Sequence, residues 1–153
     1  MRRSAHLLSV ACSIGLTVGC GILSSSPPLM QGSIKAAPTA NPNLRGRPSP
    51  IVVRLYELKS VAAFNNADFF SLFEKESETL GGDLVGREEY DLTPDEARPY
   101  RRQLQPDTKF IGVVAAFQDL EKSRWRQTAR VPAKRGITLT VGIEAHAVTM
   151  ILK

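Results

Sequence analysis

Residue types that carry enzymatic chemistry are scarce in this sequence. The chain has two histidines and two cysteines, and His146 is the one member of this group beyond residue 20. Nucleophilic catalysis needs a histidine beside a nucleophile on a strained turn, and metal binding needs three or four ligands at compatible spacing. Neither pattern surrounds His146, which we interpret as a surface residue of a turn. We therefore expect no catalytic residue, no metal site, no cofactor and no enzyme activity.

The charged residues do not indicate a nucleic-acid or substrate site either. The chain of 16.8 kDa has 20 Lys and Arg residues against 15 Asp and Glu, which gives a net charge of +5. Nucleic-acid-binding proteins combine such charge with exposed aromatic platforms, whereas the basic residues here are scattered among acidic ones. Contact with anionic lipid or an acidic partner is compatible with this charge. Binding of nucleic acid or of a small-molecule substrate is not expected.

Cys20 is the side chain whose neighbours indicate a specific chemistry. Two arginines near the start and an apolar stretch over residues 7–18 are typical of a secretory signal peptide. Gly19 followed directly by Cys20 resembles the lipobox of bacterial lipoproteins, in which the cysteine thiol is acylated and becomes the first mature residue. The resemblance assigns residues 1–19 to a signal peptide and Cys20 to covalent lipidation. The alternatives are an ordinary cleaved signal and a short membrane anchor.

Lipidation of Cys20 has consequences for location and for cysteine chemistry. Two or three acyl chains anchor a protein stably, because each buried CH₂ contributes about 0.8 kcal/mol. By resemblance to bacterial lipoproteins, Gly21 rather than aspartate at the next position favours the outer membrane. Cys12 is discarded with the signal, so no disulfide can form. The sequence departs from the usual lipobox at Thr17, where a leucine is common.

The segment that follows the cysteine is rich in proline. Six of the ten prolines lie between residues 21 and 50, which excludes long helices and indicates a tether or exposed loops. We assign residues 20–32 to the lipidated tether and residues 33–153 to one folded domain, with a brief first strand near residues 33–37. Residues 41–48 combine turn formers with cations and predict a projecting loop.

From residue 51 onward, strand patterns dominate. Residues 51–58 are β-branched and aromatic, residues 137–143 alternate between apolar and polar, and residues 110–117 are apolar, as in a central strand covered on both faces. A short helix is predicted to begin near residue 64, with Asn65 or Asn66 as its cap, and to be closed by Leu80-Gly81-Gly82. The predicted strands cover residues 33–37, 51–58, 84–92, 98–104, 110–117, 125–131, 137–143 and 147–152. This order predicts a mainly β fold, a two-sheet β-sandwich of about eight strands with a short helical insertion after the second strand.

Five segments in the domain form a recognisable set. They are Arg47-Pro-Ser-Pro-Ile-Val-Val-Arg-Leu-Tyr-Glu-Leu58, Ala63-Phe-Asn-Asn-Ala-Asp-Phe-Phe70, Leu80-Gly-Gly-Asp83, Phe110-Ile-Gly-Val-Val-Ala-Ala-Phe-Gln-Asp-Leu120 and Trp125-Arg126. In this order they resemble the TssJ family of type VI secretion lipoproteins, over roughly two thirds of the chain. The lipoprotein signal agrees with that resemblance.

The resemblance implies a transthyretin-like β-sandwich, held by lipid in the outer membrane and facing the periplasm, without enzyme activity. In this family the domain binds the periplasmic domain of the inner-membrane protein TssM, and together with TssL the two proteins form a trans-envelope complex. The family's binding element is the loop between the first two strands. That loop here comprises Asn41, Pro42, Asn43, Leu44, Arg45, Gly46, Arg47 and Pro48.

Within this loop we expect a division of roles. Arg45 and Arg47 are predicted to pair with acidic groups of TssM. Pro42, Gly46 and Pro48 are predicted to hold the loop's shape, because a restricted loop loses less entropy on binding. The alternative is a plain exposed loop with no binding role.

Two other classes of function make different predictions. A lipid-tethered sandwich that binds an envelope ligand such as glycan predicts exposed aromatics on a strand face. Trp125 is the candidate, but alternation places it inward with Ala129 and Val131. A periplasmic hydrolase predicts a converging nucleophile and base, which His146 alone does not supply.

Overall fold

The computed structural model describes residues 27–153, and this part of the chain forms eight β-strands and three short α-helices. The strands are β1 (Leu29–Ala36), β2 (Ile51–Leu58), β3 (Leu84–Leu92), β4 (Ala97–Gln103), β5 (Phe110–Ala115), β6 (Arg126–Arg130), β7 (Gly136–Ile143) and β8 (Val148–Leu152). The helices, which lie between β2 and β3, are α1 (Ala62–Asn66), α2 (Phe69–Glu74) and α3 (Glu76–Leu80), followed by a 3-10 turn at Gly81–Asp83. The predicted β-rich fold with a helical insertion after the second strand is confirmed.

The predicted signal peptide, Cys20 and most of the predicted tether lie outside the described residues. Within residues 27–153, no helix has the length and apolar character needed to cross a membrane.

The strands form two four-stranded sheets that pack face to face. Their orders are β4-β1-β7-β8 and β3-β2-β5-β6. The main core lies between them and is built from alternate residues of the facing strands. In β7, for example, the alternation predicted from the sequence is confirmed, because Ile137, Leu139, Val141 and Ile143 are all buried.

The first strand differs from its prediction. β1 begins at Leu29 rather than near Ser33, so residues 29–32, which the sequence had suggested as tether, are paired with neighbouring strands. This segment has no β-branched residue, and its own propensity does not indicate a strand. Its neighbours determine its structure, because β1 is antiparallel to β4 and parallel to β7. Gly32 permits the close approach, since a Cβ there would lie 1.7 Å from the carbonyl oxygen of Leu139.

The second sheet is covered on both faces. One face of β2 and β5 contributes to the main core, and the other packs under the helices, as predicted for residues 110–117. Tyr56 on β2 contacts Phe64 of α1 edge to face, with ring centroids 5.5 Å apart. Gly112 on β5 lies directly beneath that ring, because a Cβ there would be 2.7 Å from Cζ of Phe64. The helical insertion is therefore seated on the sheet by aromatic packing.

The insertion consists of three short helices rather than the single helix predicted. Ala67 is extended and ends α1, and Asp68 then begins α2. The Asp68 carboxylate accepts a hydrogen bond from the Ser71 amide at 2.9 Å, which is the geometry of an N-cap. The predicted asparagine cap is wrong, because Asn65 and Asn66 lie inside α1.

The strands define two ends of the sandwich. The tether end contains the start of β1, the end of β2 and the connections at residues 104–109 and 131–135. The loop end contains the end of β1, the start of β2 and the connections at residues 37–50, 116–125 and 144–147. β1 has eight residues, and at about 3.3 Å per residue the two ends are separated by roughly 25 Å.

Candidate functional site

The predicted binding loop lies at the loop end, and Asn41 fixes it to the domain. Asn41 is buried and adopts a left-handed backbone conformation, with φ of 50°. Its Nδ2 donates to the carbonyl oxygen of Pro50 at 2.7 Å, and its Oδ1 accepts from the backbone N–H of Gln118 at 2.8 Å. One buried amide therefore ties both sides of the loop to the neighbouring connection.

Asn43 organises the tip of the loop. Its Oδ1 accepts hydrogen bonds from the amides of Arg45 at 2.9 Å and Arg47 at 3.0 Å. The Gly46 amide donates to the carbonyl oxygen of Asn43 at 2.8 Å. Gly46 has φ of 72°, a conformation that glycine adopts without the steric cost of a Cβ. These bonds restrict the tip to a tight turn.

The exposed residues of the loop are those at this tip. Leu44 is fully exposed, and Arg45 and Arg47 project into solvent. Within residues 27–153, neither arginine has a carboxylate partner at ion-pair distance. Of the predicted binding residues, Asn41 holds the loop to the domain, whereas Leu44, Arg45 and Arg47 face solvent.

An open groove of about 870 Å³ lies beside this tip. It is lined by Leu44 of the loop, Phe70 of α2, Leu120 of the connection between β5 and β6, and His146. Leu44, Phe70 and Ile151 are the large apolar side chains most exposed among the described residues, and two of the three meet here. An apolar patch of this kind in a rigid frame is typical of a protein-binding surface.

The floor of the groove, residues 118–122, is also held by hydrogen bonds. The Asp119 carboxylate accepts a hydrogen bond from the Lys122 amide at 3.2 Å and pairs with Lys122 Nζ at 3.2 Å. These contacts lower the pKa of Asp119 below its ordinary value. The adjacent Gln118 is bonded to Asn41, so the floor and the loop form one unit.

Sequence reasoning identified the loop and missed the rest of the groove. A signal for Phe70 was present in the pair Phe69-Phe70 at the start of a short amphipathic helix, because two neighbours on a helix cannot both face the core. Phe69 turns inward and contacts Trp125 edge to face at 5.4 Å, and Phe70 turns outward. No sequence signal placed Leu120 and His146 beside the loop.

Other candidate chemistry finds no support in the described part of the chain. Residues 27–153 contain no group of three or more metal-ligating side chains. His146 is exposed at the rim of the groove, as predicted for a turn histidine. Trp125 is half-buried between the sheets and the helices and does not form an exposed platform for glycan.

A family model for type VI secretion lipoproteins, with VasD, EvfM, TssJ and VC_A0113 among its names, matches residues 29–146. The chain belongs to this family. The resemblance to TssJ inferred from the sequence is thereby confirmed. Type VI secretion lipoproteins of this family are structural components of the apparatus and not enzymes.

Solved structures of type VI secretion proteins share the fold. The lipoprotein TssJ1 from Pseudomonas aeruginosa is 39% identical and gives a TM-score of 0.80, with 83% of this chain and 97% of that chain covered. Lip from Serratia marcescens, a membrane-bound component of the type VI secretion system, is 25% identical with a TM-score of 0.76, covering 83% of this chain and 99% of that one.

A third match concerns TssM. A chain in the structure of the TssM C-terminal domain (869–1107) from EAEC is 26% identical with a TM-score of 0.66, covering 80% of this chain and 97% of that one. A comparison with curated protein sequences gave no match.

Proposed function

We propose that this protein anchors the type VI secretion membrane complex to the outer membrane and binds the periplasmic domain of TssM at its loop end. In this proposal residues 1–19 are removed, Cys20 carries the lipid, and the domain faces the periplasm on a short tether. TssM then links the lipoprotein to TssL.

The observation that carries the proposal is the rigid loop tip beside an apolar groove. Leu44 and Phe70 supply apolar surface that a partner side chain covers. Arg45 and Arg47 are exposed on the same turn as Leu44 and supply charge without a carboxylate partner among residues 27–153. Apolar anchors surrounded by charge are typical of the energetically important part of a protein interface. The similarity to a chain in the EAEC TssM structure supports TssM as the partner.

The loop's hydrogen bonds support a binding role over a plain surface loop. Binding costs free energy for each side chain or loop that must be ordered. Asn41 and Asn43 order this loop before any partner arrives. Leu44 also lies beside the exposed Phe70, and an exposed apolar patch of more than one side chain indicates an interaction surface where a single exposed leucine would not.

The test is the affinity of the soluble chain, residues 21–153, for the periplasmic domain of TssM from the same organism. We expect saturable binding that weakens when Arg45 and Arg47 are replaced by alanine. Replacement of Arg101 and Lys153 by alanine is the matched control, because it removes two exposed charges elsewhere on the domain.

The possible outcomes test the role of the loop arginines and the TssM-binding function separately. Binding that is unchanged in the Arg45→Ala/Arg47→Ala variant overturns the charge-pairing role of this loop. Absence of binding by a folded domain at tens of micromolar overturns the TssM function itself. An equal loss in the control variant attributes the effect to net charge rather than to the loop.

A further inference from the structure

We propose that the tether end of the sandwich binds anionic phospholipid headgroups of the membrane that holds the lipid anchor. This contact directs the loop end away from the membrane. The inference rests on the proposed lipidation of Cys20, which would hold the tether end near the membrane. The experiments below distinguish a failure of the lipidation from a failure of headgroup binding.

A cationic groove lies where the tether enters the domain. Pro28 lines an open groove of about 410 Å³, and the charged side chains that line it with Pro28 are all cationic. They are Lys109, Arg130, Lys134 and Arg135. All four are exposed, and none has a carboxylate within ion-pair distance among residues 27–153.

The groove is held in shape by the domain. The Leu29 amide donates to the carbonyl oxygen of Arg135 at 2.8 Å, and the Val131 amide donates to that of Lys109 at 2.9 Å. The first bond joins the start of β1 to the connection before β7. The second joins the residue after β6 to the residue before β5. The four cations therefore lie on connected backbone rather than on independent loops.

A buried carboxylate completes this frame. Glu57 on β2 accepts hydrogen bonds from the Gln105 amide at 2.8 Å and from Thr108 Oγ1 at 2.5 Å, and Arg102 Nε lies 3.0 Å from its other oxygen. Glu57 is nearly fully buried, so its charge is used internally. It fixes the connection that presents Lys109 without reducing the positive charge at the surface.

The length of the tether determines what the groove faces. Only residues 21–27 separate Cys20 from Pro28, and an extended chain of that length reaches at most about 30 Å. This upper limit holds for any conformation of the segment. A membrane-inserted lipid on Cys20 therefore holds this groove close to the headgroups.

The charge of the groove selects the occupant. Lysine and arginine near an anionic membrane surface are attracted to it, and the attraction is additive over neighbouring cations. Neither Leu44 nor Phe70, the large apolar side chains of the loop end, lies here, so the groove lacks the apolar anchor that a protein partner needs. Anionic phospholipid, which the anchor places within reach, fits both its charge and its position.

The experiment uses the mature lipidated protein in vesicles of phosphatidylcholine, with or without phosphatidylglycerol. A fluorophore is attached at Ala133→Cys, an exposed position in the groove, and its quenching by headgroup-labelled lipid is measured. We expect stronger quenching with phosphatidylglycerol and loss of that increase in the Lys134→Glu/Arg135→Glu variant. The matched control, Arg45→Glu/Arg47→Glu, has the same charge change at the opposite end and should retain the increase.

A second measurement removes the anchor. The Cys20→Ser chain should co-sediment with phosphatidylglycerol vesicles, and Lys134→Glu/Arg135→Glu should weaken that partitioning at least about tenfold. Quenching that is independent of phosphatidylglycerol, or equal losses in the two charge-reversal variants, overturns the inference. If mass spectrometry shows no acyl chain on Cys20, the anchor proposal fails, and co-sedimentation alone then decides whether the groove binds lipid.

Discussion

The two ends of the sandwich both expose cations, but they differ in what accompanies the charge. At the loop end, Arg45 and Arg47 are exposed on the same turn as Leu44, which lines a groove together with Phe70. At the tether end, the groove that begins at Pro28 combines cations with small or half-buried side chains. Positive charge alone therefore does not identify a partner, and the apolar component distinguishes the end proposed to bind protein from the end proposed to bind headgroups.

The ends also differ in how their shape is maintained. At the loop end, the side-chain amides of Asn41 and Asn43 add to the backbone hydrogen bonds of residues 37–50. The tether end depends on backbone hydrogen bonds and on Glu57. Variants can therefore alter one end while the other is unchanged.

The largest expected effect is at the anchor. Cys20→Ser removes the thiol that we propose to be acylated, so membrane association should fall from essentially complete to that of a weak peripheral protein. Fractionation of cells that produce the variant measures this loss. The same variant should bind TssM with affinity within about twofold of the wild-type chain, and a large loss of TssM affinity would contradict the separation of the two ends.

The apolar pair at the loop end should have the next largest effect. Leu44→Ala together with Phe70→Ala removes the exposed side chains that a partner covers, and buried apolar anchors contribute about 2 kcal/mol or more each. We expect TssM affinity to fall by about 100-fold or more, as measured by calorimetry. Ile151→Ala is the matched control, because Ile151 is exposed on β8, away from the groove.

A loss in the Ile151→Ala variant equal to that of the double variant would move the binding surface to the sheet edge. Because all three side chains are exposed, the unfolding temperature should change little in either variant.

Asn41→Ala should weaken TssM binding, although Asn41 is buried and is not expected to contact the partner itself. The variant leaves the Gln118 amide and the Pro50 carbonyl without their side-chain partner, which costs about 1–3 kcal/mol. Part of this cost reduces stability, and the loosened loop should lower TssM affinity by about tenfold. Amide hydrogen exchange at Gln118 provides a local readout. Asn65→Ala, at an exposed helical asparagine, should change neither quantity.

The smallest expected effect is an alkaline response of the helical insertion. Tyr56 Oη donates to the carbonyl oxygen of Leu72 at 3.1 Å, and burial raises the pKa of Tyr56 to about 12. The unfolded chain loses this proton near pH 10, so the contribution of Tyr56 is complete below pH 10 and is lost as pH rises towards 12. Fluorescence of Trp125, which contacts Phe69 of α2, reports the change.

Tyr56→Phe should flatten the decrease in stability between pH 10 and pH 12. An unchanged slope in that variant would assign the alkaline response to the half-buried Tyr90 and the buried Tyr100, whose pKa values burial also raises.

Much of the fold is predictable because its strands carry their own pattern. Residues 51–58 and 84–92 match β2 and β3 because each combines strand propensity with clear boundaries. The strand at residues 29–32 could not be predicted from its own sequence, since it forms by pairing with β4 and β7. The break between α1 and α2 was also missed, because the capping role of Asp68 depends on where Ala67 leaves the helix.

The candidate site was predictable in part. The loop over residues 41–48 could be located from its turn formers and from the family resemblance. The groove could not, because Phe70, Leu120 and His146 come from three other connections that only the folded sheets bring together. The role of Asn41 in holding the loop to the domain could not be predicted either, since tertiary structure brings its hydrogen-bond partners Pro50 and Gln118 to it.

The position of β1 determines how a pulling force would pass through the domain. The proposed tether enters at the start of this strand, and the loop proposed to bind TssM follows its end. β1 is paired along its length with β4 on one side and β7 on the other. Tension between membrane and partner would therefore act along the strand, roughly perpendicular to the hydrogen bonds with β4. Such a load shears many bonds together instead of opening them one after another, so the domain resists extension at the strand that joins its two attachments.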